Sequence, residues 1–448
     1  MNFVLNTQEE KKQMLSFLGM NSINDLFEDI NEDIKQKELL KLPKPLSELE
    51  LAKQMRKISE ANADMRDYAC FLGGGAYNHF IPSVVNHIIS RGEFYSSYTP
   101  YQAEMSQGML QSIFEFQSMI CELTEMDVAN ASMYDGASAM AEAAIMAAKY
   151  TERKGIIISK AVHPEYRQVL QTYANAFGLK VFEVEIENGL TDIRDMESKL
   201  NNSIACVILQ SPNFFGAIEN LENIEVLVHK NDCKLIISVL EPISLGILKP
   251  PGDYGADIVV GEAQSFGNAM SYGGPHLGFM ATKNEFLKKI PGRLSGITVD
   301  KEGERGFILT LQTREQHIRR ERATSNICTN QALNALAATV YLALIGKNGL
   351  RRIAEICAQR AHYACNKICG QKGFELRFNA PFFNEFVISC PTTPETINQA
   401  LLEKKIIGGL ESGRFYEEYK NCMMFCVTEM NSIDTIEKLV DTLHEVIY

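Results

Sequence analysis

The chain has 448 residues, of which 46% are hydrophobic and 22% charged, and its formal net charge is −12. This length favours a large core with at least one accessory unit, and this composition is that of an ordinary globular protein. The acidic balance argues against a protein that binds nucleic-acid backbones, and no apolar run approaches the roughly 20 residues of a membrane helix. The sequence therefore predicts neither a nucleic-acid nor a membrane partner.

The start of the chain and its cysteines bear on the compartment. The opening MNFVLNTQEEKKQML lacks a basic region followed by a long apolar stretch and a cleavage site, so we expect a cytoplasmic protein. The eleven cysteines lie in apolar segments, which favours reduced core thiols. Cys365 and Cys369 could share a helix face with His362, but no second chelating pair follows at zinc-site spacing. The sequence thus predicts no metal site.

Three helix-start signals come first in chain order. Thr7, Ser22 and Ser47 each precede an acidic residue by three positions, which is the pattern of a capping box. Apolar residues follow each signal, so each short helix would have one apolar face. We predict an N-terminal helical segment over residues 1–70.

Strand-like apolar runs begin after Lys154 and alternate with amphipathic stretches. Continuous apolar strands joined by helices indicate a mostly parallel sheet that is covered on both faces. The runs are Ile156–Ser159, Val181–Val184, Ala205–Leu209, Leu235–Val239 and Ile258–Val260. The sequence thus predicts a large α/β domain over residues 71–330.

The last part of the chain has a different pattern. After Asn330, the segment QALNALAATVYLALIG is apolar almost all round, which is typical of a buried linking helix. Strand patterns at 374–378, 385–389 and 423–427 accompany helix patterns at about 394–405 and 433–447. We predict a linking helix and a small C-terminal α+β domain over residues 331–448.

The segment Phe71–Gly108 concentrates glycine and tyrosine. Gly73, Gly74 and Gly75 permit positive φ and close backbone approach, while tyrosines and His79 supply polar rings. Such a segment could line a pocket, and it could equally be a surface turn with an aromatic subunit contact. The sequence leaves both interpretations open.

Two positions could serve a ligand at the edge of the predicted sheet. Asp135, Gly136 and Ser138 begin a helix of small residues, and backbone N–H groups at a helix N-terminus favour an anion such as phosphate. His163 follows the strand pattern GIIIS, at the edge where open α/β sheets bind ligands. An ordinary capped helix and a satisfied loop histidine are the plain alternatives.

An acid and a missing lysine are the most informative feature. Glu241 ends a strand pattern, and a second strand, a polar turn and Gly-Gly-Pro follow. In pyridoxal-phosphate (PLP) enzymes this layout supplies an acid for the pyridinium nitrogen and a lysine for the Schiff base. No lysine occurs from Pro250 to Thr282, and the expected place around Ser265 offers only an amide, a hydroxyl and an apolar ring. None of these groups can form the imine.

Arginines cluster in the segment LQTREQHIRRERATSNICTNQ. They are Arg314, Arg319, Arg320 and Arg322, with Glu315 and Glu321 beside them. The cluster could hold an anion or the carboxylates of a partner, and a solvated ion-pair face is the plain alternative.

Taken together, these stretches resemble the glycine-cleavage P-protein family (glycine dehydrogenase, decarboxylating), and within it the separate subunit 1. The similar segments run in order from about Met65 to Ala338 and are YTPYQAEMSQGMLQ, ANASMYDGASAMAEA, VHPEYRQVLQTY, LGILKPPGDYGADIVVGEAQ, SYGGPHLGF, PGR with GITVD, and LQTREQHIRRERATSNICTNQALNALAA. The resemblance implies a PLP-dependent transferase fold of the aminotransferase type (fold type I).

The resemblance also implies a function. P-proteins decarboxylate glycine with PLP and pass the aminomethyl group to the lipoyl group of H-protein. In the split form, subunit 2 carries the PLP lysine and subunit 1 has the same fold without it. This chain is therefore expected to be a supporting subunit with no catalytic residue and no PLP of its own, paired with subunit 2 as two copies of each.

A degenerate pocket follows from the same resemblance. Its positions are Ser132, Tyr134, Gly136, His163, Glu241 and Ser265. His163 would correspond to the histidine that stacks on the cofactor ring, Ser265 to the lysine turn, and the helix from Gly136 to the phosphate seat. Active members commonly have aspartate where Glu241 stands, which further weakens a catalytic role.

Two other functions remain as alternatives. A free-standing PLP enzyme would need an unexpected amine, for which Lys249 and Lys283 are nearest. An interaction module would keep the fold for binding alone. For the surface that faces a partner, our hypotheses are the loop from Tyr95 to Tyr101 and the arginines near Arg319.

Overall fold

The computed structural model describes residues 5–36, 38–95 and 97–447, and the chain separates into one unit over residues 1–63 and another over residues 64–448. The helices of the first unit are α1 (Gln8–Phe17) and α2 (Glu48–Ser59). Thr7 and Ser47 form the predicted capping boxes at their starts. The signal at Ser22 begins a short 3-10 turn instead of an α-helix.

The second unit contains the other regular elements of the described residues. Its helices are α3 (Ser83–Ile89), α4 (Gln107–Thr124), α5 (Gly136–Thr151), α6 (Pro164–Phe177), α7 (Ile193–Lys199), α8 (Leu221–Lys230), α9 (Gln316–Arg319), α10 (Ala332–Cys369), α11 (Pro394–Glu403) and α12 (Ile433–Ile447). Its strands are β1 (Ala69–Cys70), β2 (Val128–Ala129), β3 (Gly155–Ser159), β4 (Lys180–Val184), β5 (Ile186–Glu187), β6 (Leu190–Thr191), β7 (Ile204–Gln210), β8 (Lys234–Val239), β9 (Ile258–Glu262), β10 (Gly278–Thr282), β11 (Leu294–Val299), β12 (Arg305–Thr310), β13 (Glu375–Leu376), β14 (Glu385–Ser389), β15 (Ile406–Ile407), β16 (Leu410–Glu411) and β17 (Cys422–Cys426).

A seven-stranded sheet forms the centre of this unit, in the order β2-β10-β9-β8-β7-β3-β4. The strands from β4 through β3, β7 and β8 to β9 are parallel, and β10 runs antiparallel to both β9 and β2. The five strands that the sequence predicts are these parallel ones. The prediction of an α/β fold with a mostly parallel sheet is confirmed.

Both faces of this sheet are buried. In β3, Ile157 packs into one core while Ile156 and Ile158 pack into the other, and all three are fully buried. Alanines of α5 cover one face and residues of α10 the other. Each such isoleucine stabilises the fold by roughly 2 kcal/mol relative to exposure, so the strands read as continuous apolar runs.

The C-terminal part follows the predicted order with one interruption. The linking helix α10 breaks at Gly346, whose φ of 57° lies in the left-handed region that glycine tolerates. Beyond it, an antiparallel sheet in the order β13-β14-β17-β16 shares a core with α11 and α12. The hairpin of β11 and β12 was not predicted. The limits of the three predicted domains, at residues 70 and 330, stay a prediction.

Within the described residues, no helix combines the length and the apolar character that a membrane crossing requires.

Candidate functional site

The turn after β9 lies where a PLP enzyme would carry its lysine. Ser265 is 2% exposed, and its hydroxyl donates to Oε2 of Glu241 at 3.2 Å. Glu241 follows β8, and its Oε1 accepts from the backbone N–H of Ile243 at 3.0 Å. The structure thus brings two predicted pocket residues together, with the serine hydroxyl bonded to the acid.

Gln264, just before that serine, holds a different part of the chain. Its Oε1 accepts from the backbone N–H of Tyr77 at 3.0 Å, and its Nε2 donates to the carbonyl of Tyr77 at 3.1 Å. A paired contact of this kind fixes both position and direction of a backbone segment. We call residues Gly73 to Phe80 the glycine-rich loop. Gln264 therefore holds this loop against the turn after β9.

His79 in this loop lies between two carboxylates. Its Nε2 is 2.9 Å from Oε2 of Glu241, and its Nδ1 is 2.7 Å from Oε2 of Glu429, which follows β17. Burial opposes the charged ring, but the two carboxylates outweigh it and raise the pKa of His79 to about 10. The hydrogen bond and charge of His79 in turn lower the pKa of Glu429 against the effect of burial. The cluster is a buried carboxylate–imidazolium–carboxylate triad.

The same residues could be considered as metal ligands. Among the described residues, His79, Cys357 and Glu429 have ligand atoms within 4.8 Å of one another. Both ring nitrogens of His79 already face carboxylate oxygens, of Glu241 and Glu429, at hydrogen-bond distance. The predicted absence of a metal site stays a prediction.

The cysteine pair singled out in the sequence does not enclose a site with His362. The His362 ring stacks on Phe382 with centroids 4.1 Å apart, and its Nε2 faces the carbonyl of Phe382 at 3.2 Å. Cys365 packs in the C-terminal core. These residues contribute to packing between α10 and the small sheet.

A second buried acid holds the start of the glycine-rich loop. Glu385 in β14 accepts from the backbone N–H of Gly74 at 2.7 Å and from the hydroxyl of Tyr77 at 2.9 Å. Burial raises the pKa of Glu385 to about 7, and the nearby Glu241 adds to this, although the two hydrogen bonds oppose it. The loop is therefore fixed to the small sheet as well as to the turn after β9.

His163 is at the predicted edge of the sheet, but its ring nitrogens serve the protein. Nε2 is 2.8 Å from the carbonyl of Gly74, and Nδ1 accepts from the backbone N–H of Glu165 at 3.2 Å. Burial lowers the pKa of His163, which suits a neutral ring that donates only from Nε2. Gly75 has a φ of 101°, and a Cβ there would be 3.3 Å from the imidazole. The loop thus packs closely against His163.

The N-terminus of α5, the predicted phosphate seat, holds a carboxylate of this chain. Glu262 at the end of β9 accepts from the backbone N–H of Gly136 at 3.0 Å and of Leu277 at 2.6 Å. It is 1% exposed, and His276 Nδ1 lies 3.6 Å away. A helix N-terminus favours an anion, and here Glu262 supplies that anion.

Ser132 and Tyr134 bind the chain segment that leads into α10. The Ser132 hydroxyl accepts from the side chain of Asn330 and the backbone N–H of Gln331 at 2.9 and 3.0 Å. The Tyr134 hydroxyl accepts from the backbone N–H of Cys328 at 3.0 Å. Their side chains therefore anchor that segment, whereas Glu241 and Ser265 bond each other.

These contacts test whether the residues fit PLP. The cofactor needs an amine, a seat for its phosphate and an acid for its ring nitrogen. Here the amine position is Ser265, the seat is taken by Glu262, and Glu241 already accepts from His79 and Ser265. A phosphate dianion would also be repelled by the buried Glu262 carboxylate. The residues present do not fit PLP.

The sequence did not predict the roles of several residues of the cluster and of the α5 anion seat. His79 and Tyr77 were noticed only as polar rings in a glycine-rich segment, and that segment was the available signal. Glu262 lies in the quoted stretch VVGEAQ, where an acid at the end of a buried strand was a usable sign. Glu385 in β14 and Glu429 after β17 complete the cluster from the C-terminal sheet, and no local pattern marks them.

The two hypothetical partner-facing segments meet at one aromatic side chain. Tyr95 and Tyr98 are exposed, the latter by 84%, and Tyr101 is half exposed. The Tyr101 ring lies 5.5 Å from that of His317 and 5.7 Å from the guanidinium carbon of Arg293. In the glycine half of the segment Phe71–Gly108, Tyr77 and His79 are buried in the cluster, whereas Tyr95, Tyr98 and Tyr101 in the other half are exposed.

Comparison with known proteins gives a consistent result. The family model of the glycine cleavage system P-protein matches residues 1–443. A relative from Anoxybacillus flavithermus, named "Probable glycine dehydrogenase (decarboxylating) subunit 1", is 52% identical over 437 residues, which are 98% of this chain and 97% of the relative.

Solved structures extend the comparison to the fold. That of a glycine decarboxylase (P-protein) of the glycine cleavage system, in inhibitor-bound form, is 42% identical with a TM-score of 0.91 and 100% of both chains covered. A sphingosine-1-phosphate lyase from Burkholderia pseudomallei, 13% identical with 92% of this chain and 93% of that one covered, shares only the fold, with a TM-score of 0.67. The predicted fold type I architecture is confirmed. The chain belongs to the glycine cleavage system P-protein family.

Proposed function

We propose that this chain is subunit 1 of a two-chain glycine dehydrogenase (decarboxylating), and that it supports a reaction whose cofactor is held by the partner. The relative at 52% identity carries the name of that subunit over nearly its whole length. The observation that carries the supporting role is the anion seat of α5, where Glu262 takes the backbone N–H that a cofactor phosphate would need.

In this proposal PLP binds to subunit 2, and the complex decarboxylates glycine and transfers the aminomethyl group to the lipoyl group of H-protein. Two copies of each chain would form the complete enzyme. A cytoplasmic location is part of the proposal, supported by eleven cysteines that are all free thiols.

The positions of the two nearest lysines argue against a free-standing PLP enzyme. Nζ of Lys283 donates to Asp257 at 3.0 Å, at the end of β9 opposite to Ser265. Nζ of Lys249 lies over the ring of Tyr254 at 4.3 Å. Each amine thus already has a partner of its own within this chain.

A reconstitution experiment tests the proposal. The purified chain is mixed with PLP, reduced with borohydride and analysed for covalently attached cofactor, alone and together with subunit 2. We expect cofactor on subunit 2 only, and release of labelled CO2 from carboxyl-labelled glycine only when both chains and H-protein are present.

Two results would contradict parts of this proposal. A reduced cofactor on a lysine of this chain would overturn the supporting role and favour a PLP enzyme with an unexpected amine. Full activity of subunit 2 without this chain would instead favour an interaction module.

A further inference from the structure

A group of basic side chains surrounds two adjacent cavities near α5 and the segment that follows β12. The cavities measure about 360 Å³ and 320 Å³ and share Arg322 and Thr324 in their walls. We call this region the arginine surface, and its cations are Lys149, Lys288, Lys289, Arg314, Arg319 and Arg322.

The charged side chains that line the two cavities are all positive. Among the described residues that line the two cavities there are six cations and no acid, although the whole chain has a net charge of −12. Arg322 Nε lies 3.8 Å from Glu321, but both side chains are about four-fifths exposed, at 82% and 79%. Such an exposed pair is screened by water and neutralises little.

Arg314 is the buried member of the group. It is 7% exposed, and its guanidinium donates to three backbone carbonyls, those of Ile290, Gly292 and Leu311. Carbonyls satisfy donors but carry no counter-charge; burial lowers the pKa of Arg314, and the charge of Glu315 opposes this only in part. Each terminal nitrogen has one further N–H beyond these bonds.

The acid next to Arg314 in sequence is directed elsewhere. Oε2 of Glu315 lies 3.6 Å from Nδ1 of His317 and 4.0 Å from Nε of Arg293. The other Glu315 oxygen, Oε1, is buried without a hydrogen-bond partner in the described structure. The ion pairs of Glu315 are thus with Arg293 and His317, and its charge acts on Arg314 only from a longer distance.

We propose that the arginine surface binds a small phosphorylated molecule, with a phosphoryl group in the larger cavity against Arg314 and Arg319, and a second anionic group in the smaller one. The cavity sizes lie in the range of small-molecule sites. Guanidinium forks match the acceptor oxygens of a phosphoryl group, and the hydroxyls of Thr313 and Thr324 can complete its hydrogen bonds. The shared Arg322 can contact both groups.

Calorimetric titration of the full chain with inorganic pyrophosphate, at constant ionic strength, tests this site. The variants are Arg319→Gln and Arg322→Gln, which change exposed side chains and keep Arg314 in place. The control is Arg352→Gln, which removes one positive charge from an exposed position of α10, away from the arginine surface. We expect saturable binding at one site, weakened at least about tenfold by each test variant and unchanged by the control, because each removes charge-assisted hydrogen bonds.

Three results would overturn the proposal. The first is equal binding of pyrophosphate by all variants. The second is loss of pyrophosphate binding when sodium chloride supplies the same ionic strength. The third is tighter binding of a decaglutamate peptide than of pyrophosphate, with the same two arginines required, which would make the surface a docking site for an acidic protein. Because the glycine reaction is not measured, failure here is distinguishable from failure of the proposed function.

Discussion

The buried cluster around His79 and the arginine surface differ in how their charges are paired. His79 lies between two carboxylates of this chain, whereas the charged side chains lining the arginine surface are all positive. In the cluster, Glu241, Glu385 and Glu429 each have a hydrogen-bond partner within this chain. On the arginine surface, six cations line two cavities without an acid among the described lining residues. The comparison contrasts acids whose hydrogen bonds are made within this chain with a cationic surface that, in our proposal, binds an anion.

The largest test of this contrast is removal of the cation in the cluster. His79→Ala leaves Glu241 and Glu429 buried and facing each other without the ring between them. We expect a loss of about 3 to 5 kcal/mol in the free energy of unfolding, measured by urea denaturation. His87→Ala, an exposed histidine in α3, is the control and should change stability by less than about 0.5 kcal/mol. A loss below about 1 kcal/mol for His79→Ala would show that the triad is not a paired buried charge system.

The next effect concerns pH and Glu385. Its pKa in the folded protein is about 7, above the ordinary 4.5. Between these two pH values, the folded state holds a proton that the unfolded state has lost. The stability contributed by this proton is complete below pH 4.5 and is lost as pH rises through about 7. The loss is on the order of 3 kcal/mol, by 1.36 kcal/mol for each unit of pKa.

The measurement is the difference in unfolding free energy between the parent chain and Glu385→Gln across this pH range. We expect the variant to lack the decline, while Glu375→Gln, at an exposed position of β13, retains it. Parallel curves for the parent chain and Glu385→Gln would contradict the raised pKa.

A smaller effect is expected at the anion seat of α5. In Glu262→Gln, the amide can accept from only one of the two N–H groups of Gly136 and Leu277 that the carboxylate satisfies. We expect a loss of about 2 kcal/mol in thermal or urea unfolding, because a hydrogen bond to a charged group is lost and one buried donor is left without a partner. Glu222→Gln, on an exposed side chain of α8, should be neutral, and equal stability of both variants would mean that the seat does not need its carboxylate.

The smallest expected effect is on the stability of variants of the arginine surface. Arg319→Gln and Arg322→Gln should change stability by less than about 0.5 kcal/mol, because surface substitutions away from packed features have effects of that size. A clear destabilisation by either variant, measured by the same urea denaturation, would mean that the arginines serve the fold and not a ligand.

The sequence was informative where local pattern and chemistry coincide. The parallel strands follow from continuous apolar runs, and the meeting of Glu241 with Ser265 follows from two strands that end at the same edge of the sheet. The role of Glu429 could not be predicted, because it depends on how the small sheet packs against a loop 350 residues earlier in the chain. The helical stretch from Lys347 to Cys369 was also missed, because the apolar pattern of the predicted linking helix ends at Gly346.

The seat of the glycine-rich loop has a consequence for local opening of the protein. The amide of Gly74 is held by Glu385, that of Phe80 by Glu429, and that of Tyr77 by Gln264. Glu385 and Glu429 lie in or next to the paired strands β14 and β17, and Gln264 lies in the turn after β9, so two separate parts of the fold hold the loop. We therefore expect the three amides to exchange their hydrogens with solvent through a common opening event.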